Sequence, residues 1–136
     1  MNTTTEESKK IVIKFCEYLS NREYDLMLNL CDNNGTWYMQ GRPDGPDLTY
    51  YSGTQSINEE LKQAQKVLNL FTTFKYTITG ITGEGERVAI ESISEGKGPA
   101  EGQIYKNTYM KQFVLKDGKI TNKTLNLKPL KSWEVY

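Results

Sequence analysis

The chemistry open to this chain is bounded first by an absence: it contains no histidine. Mechanisms that need an imidazole base, a Ser-His or Cys-His pair, or a histidine metal ligand are therefore excluded within these residues. Its two cysteines, Cys16 and Cys31, lie in apolar stretches of helical spacing. A thiol there behaves as a small hydrophobe, so both are expected to be buried, reduced and inert. Acidic residues do not cluster at ligand spacing, and the expectation is no metal and no cofactor.

What remains is carboxylate, amide, hydroxyl and amine chemistry. Glu91 stands in the apolar run Val88-Ala89-Ile90-Glu91-Ser92-Ile93, where a desolvated carboxylate would be a base of raised pKa. Strand alternation puts Ala89, Glu91 and Ile93 on one face and Val88, Ile90, Ser92 and Ser94 on the other, and the reading preferred here turns Glu91 outward to pair with a lysine. Asn107 and Tyr109 share a face with Tyr105 and Phe113, hydrogen-bonding groups among apolar ones, which suits orienting a ligand. Lysines recur at 106, 111, 116, 119, 123, 128 and 131 with Asp117 as the only acid among them. Without interleaved stacking aromatics beyond Tyr109 and Phe113, they read as a solvated sheet face. Lys and Arg together number 17 against 17 Asp and Glu, so no net field draws phosphate backbones, and no nucleic-acid partner is expected.

These groups must be held by a single domain, since 136 residues leave no room for a second core of ordinary size. A stripe of Ile11, Phe15 and Leu19 marks a helix over about 8–19, and Leu26, Met27, Leu30 and Cys31 give a short second one, ended by Asn33-Asn34-Gly35. Residues 36–40, Thr-Trp-Tyr-Met-Gln, read as a short strand, followed by an irregular Gly/Pro-rich segment. Ser56-Ile57-Asn58-Glu59 has the pattern of a capping box and opens a third helix with Ile57, Leu61, Ala64 and Leu68 inward. From Thr72 the period becomes strand-like, broken by turns at Glu84-Gly85-Glu86, 96–102 and Asp117-Gly118. Helices followed by antiparallel strands make an α+β fold. No apolar run reaches spanning length, so no membrane partner is expected. The polar start, MNTTTEESKK, lacks the layout of a secretory signal, which predicts a cytoplasmic protein.

The order of these elements and several phrases within them resemble the nuclear transport factor 2-like superfamily, in particular its ketosteroid isomerase-like and SnoaL-like polyketide cyclase-like domains. The phrases are Ser52-Gly53 followed by Ile57, Arg87-Val88-Ala89-Ile90-Glu91, Tyr105-x-Asn107-x-Tyr109 and Asp117-Gly118-Lys119-Ile120. The resemblance implies a cone-shaped, mostly antiparallel sheet wrapped around three helices, an interior pocket, and a homodimer through the outer face of the sheet. It does not fix function, because such folds carry many. A steroid isomerase would have an oxyanion-donating Tyr where this chain has Phe15 and an Asp base where it has Met39. Against limonene epoxide hydrolase-like members, Tyr38 matches a Tyr and Gln40 stands for an Asn, but the charged set is replaced by Ser92, Ser94 and Leu125. The two comparisons assign opposite inward parities to residues 36–40, a one-residue shift that reverses every side chain.

The resulting expectation is a pocket for a small apolar molecule bearing a carbonyl or hydroxyl, lined by Trp37, Tyr38, Gln40, Ser92, Ser94, Asn107 and Tyr109. Its activity would be of the isomerase, cyclase or hydrolase kind, working through hydrogen bonds rather than a charged dyad. The alternative is a non-catalytic homodimeric binding or adaptor module that has lost the family's acid/base residues.

Overall fold

The computed structural model describes residues 4–39, 53–98 and 100–127. Helix α1 (Thr5–Ser20) begins at Thr4, whose hydroxyl accepts the Glu7 N–H at 3.2 Å, the usual service of an N-cap. Helix α2 (Tyr24–Asn29) follows, then strands β1 (Cys31–Met39) and β2 (Gly53–Ser56), helix α3 (Ile57–Leu68), and strands β3 (Thr73–Glu84), β4 (Arg87–Lys97), β5 (Ile104–Lys116) and β6 (Lys119–Leu127). The strands form one six-stranded sheet in the order β2-β1-β6-β5-β4-β3. Only β1 and β6 run parallel; the other neighbours are antiparallel. The sheet curls without closing, and the α+β architecture expected from the sequence is the one observed.

Two boundaries differ from the sequence reading. Asn33-Asn34-Gly35 does not end a helix but lies within β1, which starts at Cys31, and Gly53–Ser56 adds an edge strand. A Cβ at Gly35 would crowd Cδ1 of Ile57 at the start of α3 and lie 3.0 Å from the Asp32 carbonyl oxygen. The missing side chain lets α3 close onto β1, with Ser56 accepting the Glu59 N–H at 3.3 Å. The expected capping box is half made: the Glu59 carboxylate turns to Lys62, 3.7 Å away.

Helix α1 is stitched along the edge strand β3. The Ser20 hydroxyl accepts from the Tyr76 N–H at 3.2 Å and donates to the Tyr76 carbonyl at 3.1 Å, while at the other end Gly85 N–H donates to the Thr5 hydroxyl at 2.7 Å. The helix thus satisfies backbone groups that an edge strand would otherwise leave open. Its inward face, Val12, Phe15, Cys16 and Leu19, packs into a core with Trp37, Val88, Ile90, Phe113 and Ile120. Phe15 meets both Trp37 and Phe113 edge-on with ring centroids 5.6 Å apart, the arrangement the ring quadrupole favours. Cys16 and Cys31 are buried free thiols, and burial raises both, Cys31 to about 11. Neither is a nucleophile near neutral pH.

Candidate functional site

The inward face of the sheet is set by alternation. On β4 the buried positions are Val88, Ile90, Ser92, Ser94 and Gly96, and Glu91 is exposed. On β5, Asn107, Lys111, Phe113 and Leu115 are buried and Tyr109 is half-buried among them. Antiparallel register sets Ser94 opposite Asn107, Ser92 opposite Tyr109 and Ile90 opposite Lys111.

Three of the seven residues singled out in the sequence, Ser94, Asn107 and Tyr109, therefore meet in one hydrogen-bonded group, and a fourth, Ser92, forms a pair beside it. Ser94 Oγ lies 2.7 Å from Tyr109 OH, which is 3.5 Å from Tyr105 OH, and Asn107 Nδ2 donates to Tyr105 OH at 2.6 Å. Ser92 Oγ pairs with Tyr76 OH at 2.5 Å, and the Tyr76 ring packs 5.7 Å from that of Tyr109. Burial raises the phenols of Tyr76, Tyr105 and Tyr109, so all three remain neutral donors. Phe71 closes this end, its ring 5.1 Å from that of Tyr105. Gly96 makes room for it, since a Cβ at that position would sit 2.9 Å from the ring.

The other three fall differently. Trp37 is inward and 3 % exposed; Tyr38, its neighbour, is 43 % exposed on the outer face. The parity left open by the sequence is thus the one that buries Trp37, and Tyr38 lies on the opposite side of the sheet because adjacent strand residues point to opposite sides. Gln40 lies outside the described residues.

Three charged groups missed by the sequence reading share this interior. Lys111 and Lys123 are 4 % and 5 % exposed, and Glu60 of α3 is 5 % exposed. The lysine run is therefore not uniformly a solvated face. Lys106, Lys116 and Lys119 are exposed, while Lys111 and Lys123 extend into the core, where long apolar stems pack readily. The Lys123 Nζ sits 3.6 Å from the centre of the Trp37 ring, and the Lys111 Nζ 4.4 Å and 5.1 Å from the centres of Tyr76 and Tyr109. These are cation–π distances, worth more where water is excluded.

Burial pulls Lys123 down from 10.5 to about 7, with the like charge of Lys111 adding to the effect and Glu60 opposing it. Lys111 is lowered by burial as well, against Cys16 and Glu60. Burial raises Glu60, against the two lysines. Some signal for these groups was present: Lys111 shares parity with Asn107, Tyr109 and Phe113, and Glu60 lies three residues from Ile57 and four from Ala64, on the apolar stripe.

The model of the SnoaL-like domain family matches residues 12–123, from α1 into β6. The chain belongs to that family. Its solved neighbours include Bal32a from a soil-derived mobile gene cassette, at TM-score 0.78 and 16% identity with 95% of each chain covered. An epoxide hydrolase of M. tuberculosis described as LEH-like matches at TM-score 0.71 and 15% identity, over 93% of this chain and 86% of the other. An NTF2-like protein of Burkholderia xenovorans matches at TM-score 0.71 and 16% identity, over 95% of each chain. At such identities the likeness is one of fold. A search of curated proteins finds no match. Of the positions at which the sequence resemblance asked for an acid or base, Phe15, Ser92 and Ser94 are buried. Among the described residues, the buried charged side chains are Glu60, Lys111 and Lys123.

A buried ammonium of lowered pKa carries a stability signature. Between about pH 7 and 10.5 the unfolded chain holds a proton on Lys123 that the folded chain has released, so this group makes folding more favourable as pH rises through that window and costs most below it. Lys123→Met should therefore stabilise the protein by about 1–4 kcal/mol at pH 6, with the gain shrinking towards pH 10. Urea unfolding of both proteins across pH measures it. A variant less stable than wild type at pH 6 would mean that Lys123 is paired or hydrated.

Proposed function

We propose that the inward face of the sheet binds a small, largely apolar molecule bearing a carbonyl or hydroxyl, and that the domain acts on it in the manner of an isomerase, cyclase or hydrolase. The observation that carries this reading is the Ser94–Tyr109–Tyr105–Asn107 group, a connected set of neutral donors and acceptors inside an otherwise apolar and aromatic wall. Such a set orients a polar atom at small desolvation cost, because its members are already fixed by one another. Proton transfer to or from the ligand falls to Glu60, Lys111 and Lys123. A carboxylate raised by burial suits a base, and buried ammonium groups suit the stabilisation of an enolate.

A non-catalytic binding module is the second reading. It is favoured by the non-ionisable Phe15, Ser92 and Ser94 at the positions where the resembled enzymes carry their acid/base groups. Exchange of α-hydrogens for deuterium in a bound ketone separates the two. Catalysis predicts exchange that falls about 10²-fold or more in Glu60→Gln, with Asn107→Leu weakening ketone binding and Tyr38→Phe and Glu91→Gln changing neither. Binding without any accelerated exchange selects the non-catalytic module, and unchanged binding in Asn107→Leu removes the hydrogen-bonded group from the site.

The same proposal extends to assembly. Ile93, Ile104, Met110 and Tyr38 lie on the outward face, the last three 41%, 46% and 43% exposed. A groove of about 570 Å³ opens along this stretch of β4 and β5, lined by the outward Ile93, Glu95, Ile104, Lys106 and Thr108 together with Ser94 and Asn107. A second copy would cover this face in a homodimer. Sedimentation at micromolar concentration should give twice the chain mass, and a monomer throughout would reject it.

A further inference from the structure

We propose that Lys111 and Lys123 form an anion subsite inside the curled sheet that takes the carboxylate of a small, otherwise apolar acid. The proposal rests on reading this interior as a ligand pocket and narrows the ligand to a class that reading leaves open.

An ammonium has three N–H donors and no acceptor, and an indole has one donor only. Lys111 and Lys123 are almost wholly buried. The ion pairs among the described residues are Lys9–Glu6, Lys14–Glu17 and Lys62–Glu59, each within one helix. Among those residues neither interior ammonium has a carboxylate within ion-pair distance or a hydrogen-bond acceptor. What faces them instead are the rings of Trp37, Tyr76 and Tyr109, which attract a cation but present no lone pair along an N–H. The Nε1–H of Trp37, buried against Lys123, also lacks an acceptor. Buried donors in native proteins are paired as a rule, and buried charges more strictly so. A ligand that pairs with these two ammonium groups and the Trp37 N–H would bring acceptors and negative charge.

Charge counting agrees. Glu60 is the one buried carboxylate among the described residues, against two buried lysines, so the cluster is one negative charge short when all three are ionised. A neutral carbonyl offers two lone pairs and no charge, whereas a carboxylate offers about four lone-pair sites and the missing charge. The surroundings set the rest of the ligand. Lys123 is flanked directly by Trp37 on β1 and Phe113 on β5, and Lys111 by Ile90 on β4. An aromatic or alicyclic monocarboxylate would place its acid on the two lysines and its ring on these residues.

The test compares acids with their primary amides, which match them in shape and differ in charge: benzoate with benzamide, cyclohexanecarboxylate with its amide, and 2-naphthoate with 2-naphthamide, by calorimetry at pH 7. Wild type should bind at least one acid about tenfold or more tightly than its amide. Lys111→Met and Lys123→Met should each lose most of that preference while keeping affinity for the amide. Amides binding as well as acids, or a preference that survives both substitutions, overturns the anion subsite and leaves the pocket reading standing. Absence of binding by both members of every pair overturns the two together. The wild-type comparison decides the matter whether or not a variant folds.

Discussion

Two amines held among aromatic rings inside a curled sheet set the terms for this protein. Lys123 Nζ lies 3.6 Å from the centre of the Trp37 ring and Lys111 Nζ 4.4 Å from that of Tyr76. Taking an ammonium from water is expensive, and the interior returns only part of the cost through ring faces and the distant carboxylate of Glu60. Much of the surrounding architecture serves to hold that arrangement. Gly35 admits the start of α3 against β1, and α3 carries Glu60 inward; Phe15 wedges between Trp37 and Phe113; α1 is tied along β3, whose Tyr76 roofs Lys111.

The interior has two chemically distinct ends. Towards Phe71 the inward residues are neutral and satisfy one another, in the group running from Asn107 through Tyr105 and Tyr109 to Ser94. Towards Trp37 they are charged, and neither ammonium has a hydrogen-bond acceptor among the described residues. A ligand with one neutral oxygen and one acidic group would match both ends, and such a division is how a small pocket fixes orientation as well as affinity.

The order of elements was legible in the sequence because its signals are local: the stripes of α1 and α3, the Ser56 cap, the alternation of β4 and the Asp117-Gly118 turn. The inward faces of β4 and β5 were legible where alternation runs unbroken, which is why Ser92, Ser94, Asn107 and Tyr109 fall on one side of the sheet. Lys111 obeys the same parity and was lost only to the general preference of lysine for the surface. Lys123 had no such signal. The pairing of β5 with β6 slips between Val114 and Leu115, and that of β1 with β6 between Cys31 and Thr36. As a result Ile120 and Lys123, three apart, are both inward. A bulge reverses parity and leaves no mark in residue types. The aromatic pair Trp37-Tyr38 was ambiguous for a related reason, since both fit a half-buried strand equally well.

The claim on which this account turns is that the two lysine amines lie inside the sheet, and a site-resolved pH titration of the lysine side chains by NMR addresses it directly. Lys123 should titrate near pH 7 and Lys111 below its ordinary range. Midpoints for Lys111 and Lys123 indistinguishable from those of the surface lysines would place both amines in water and contradict the interior site.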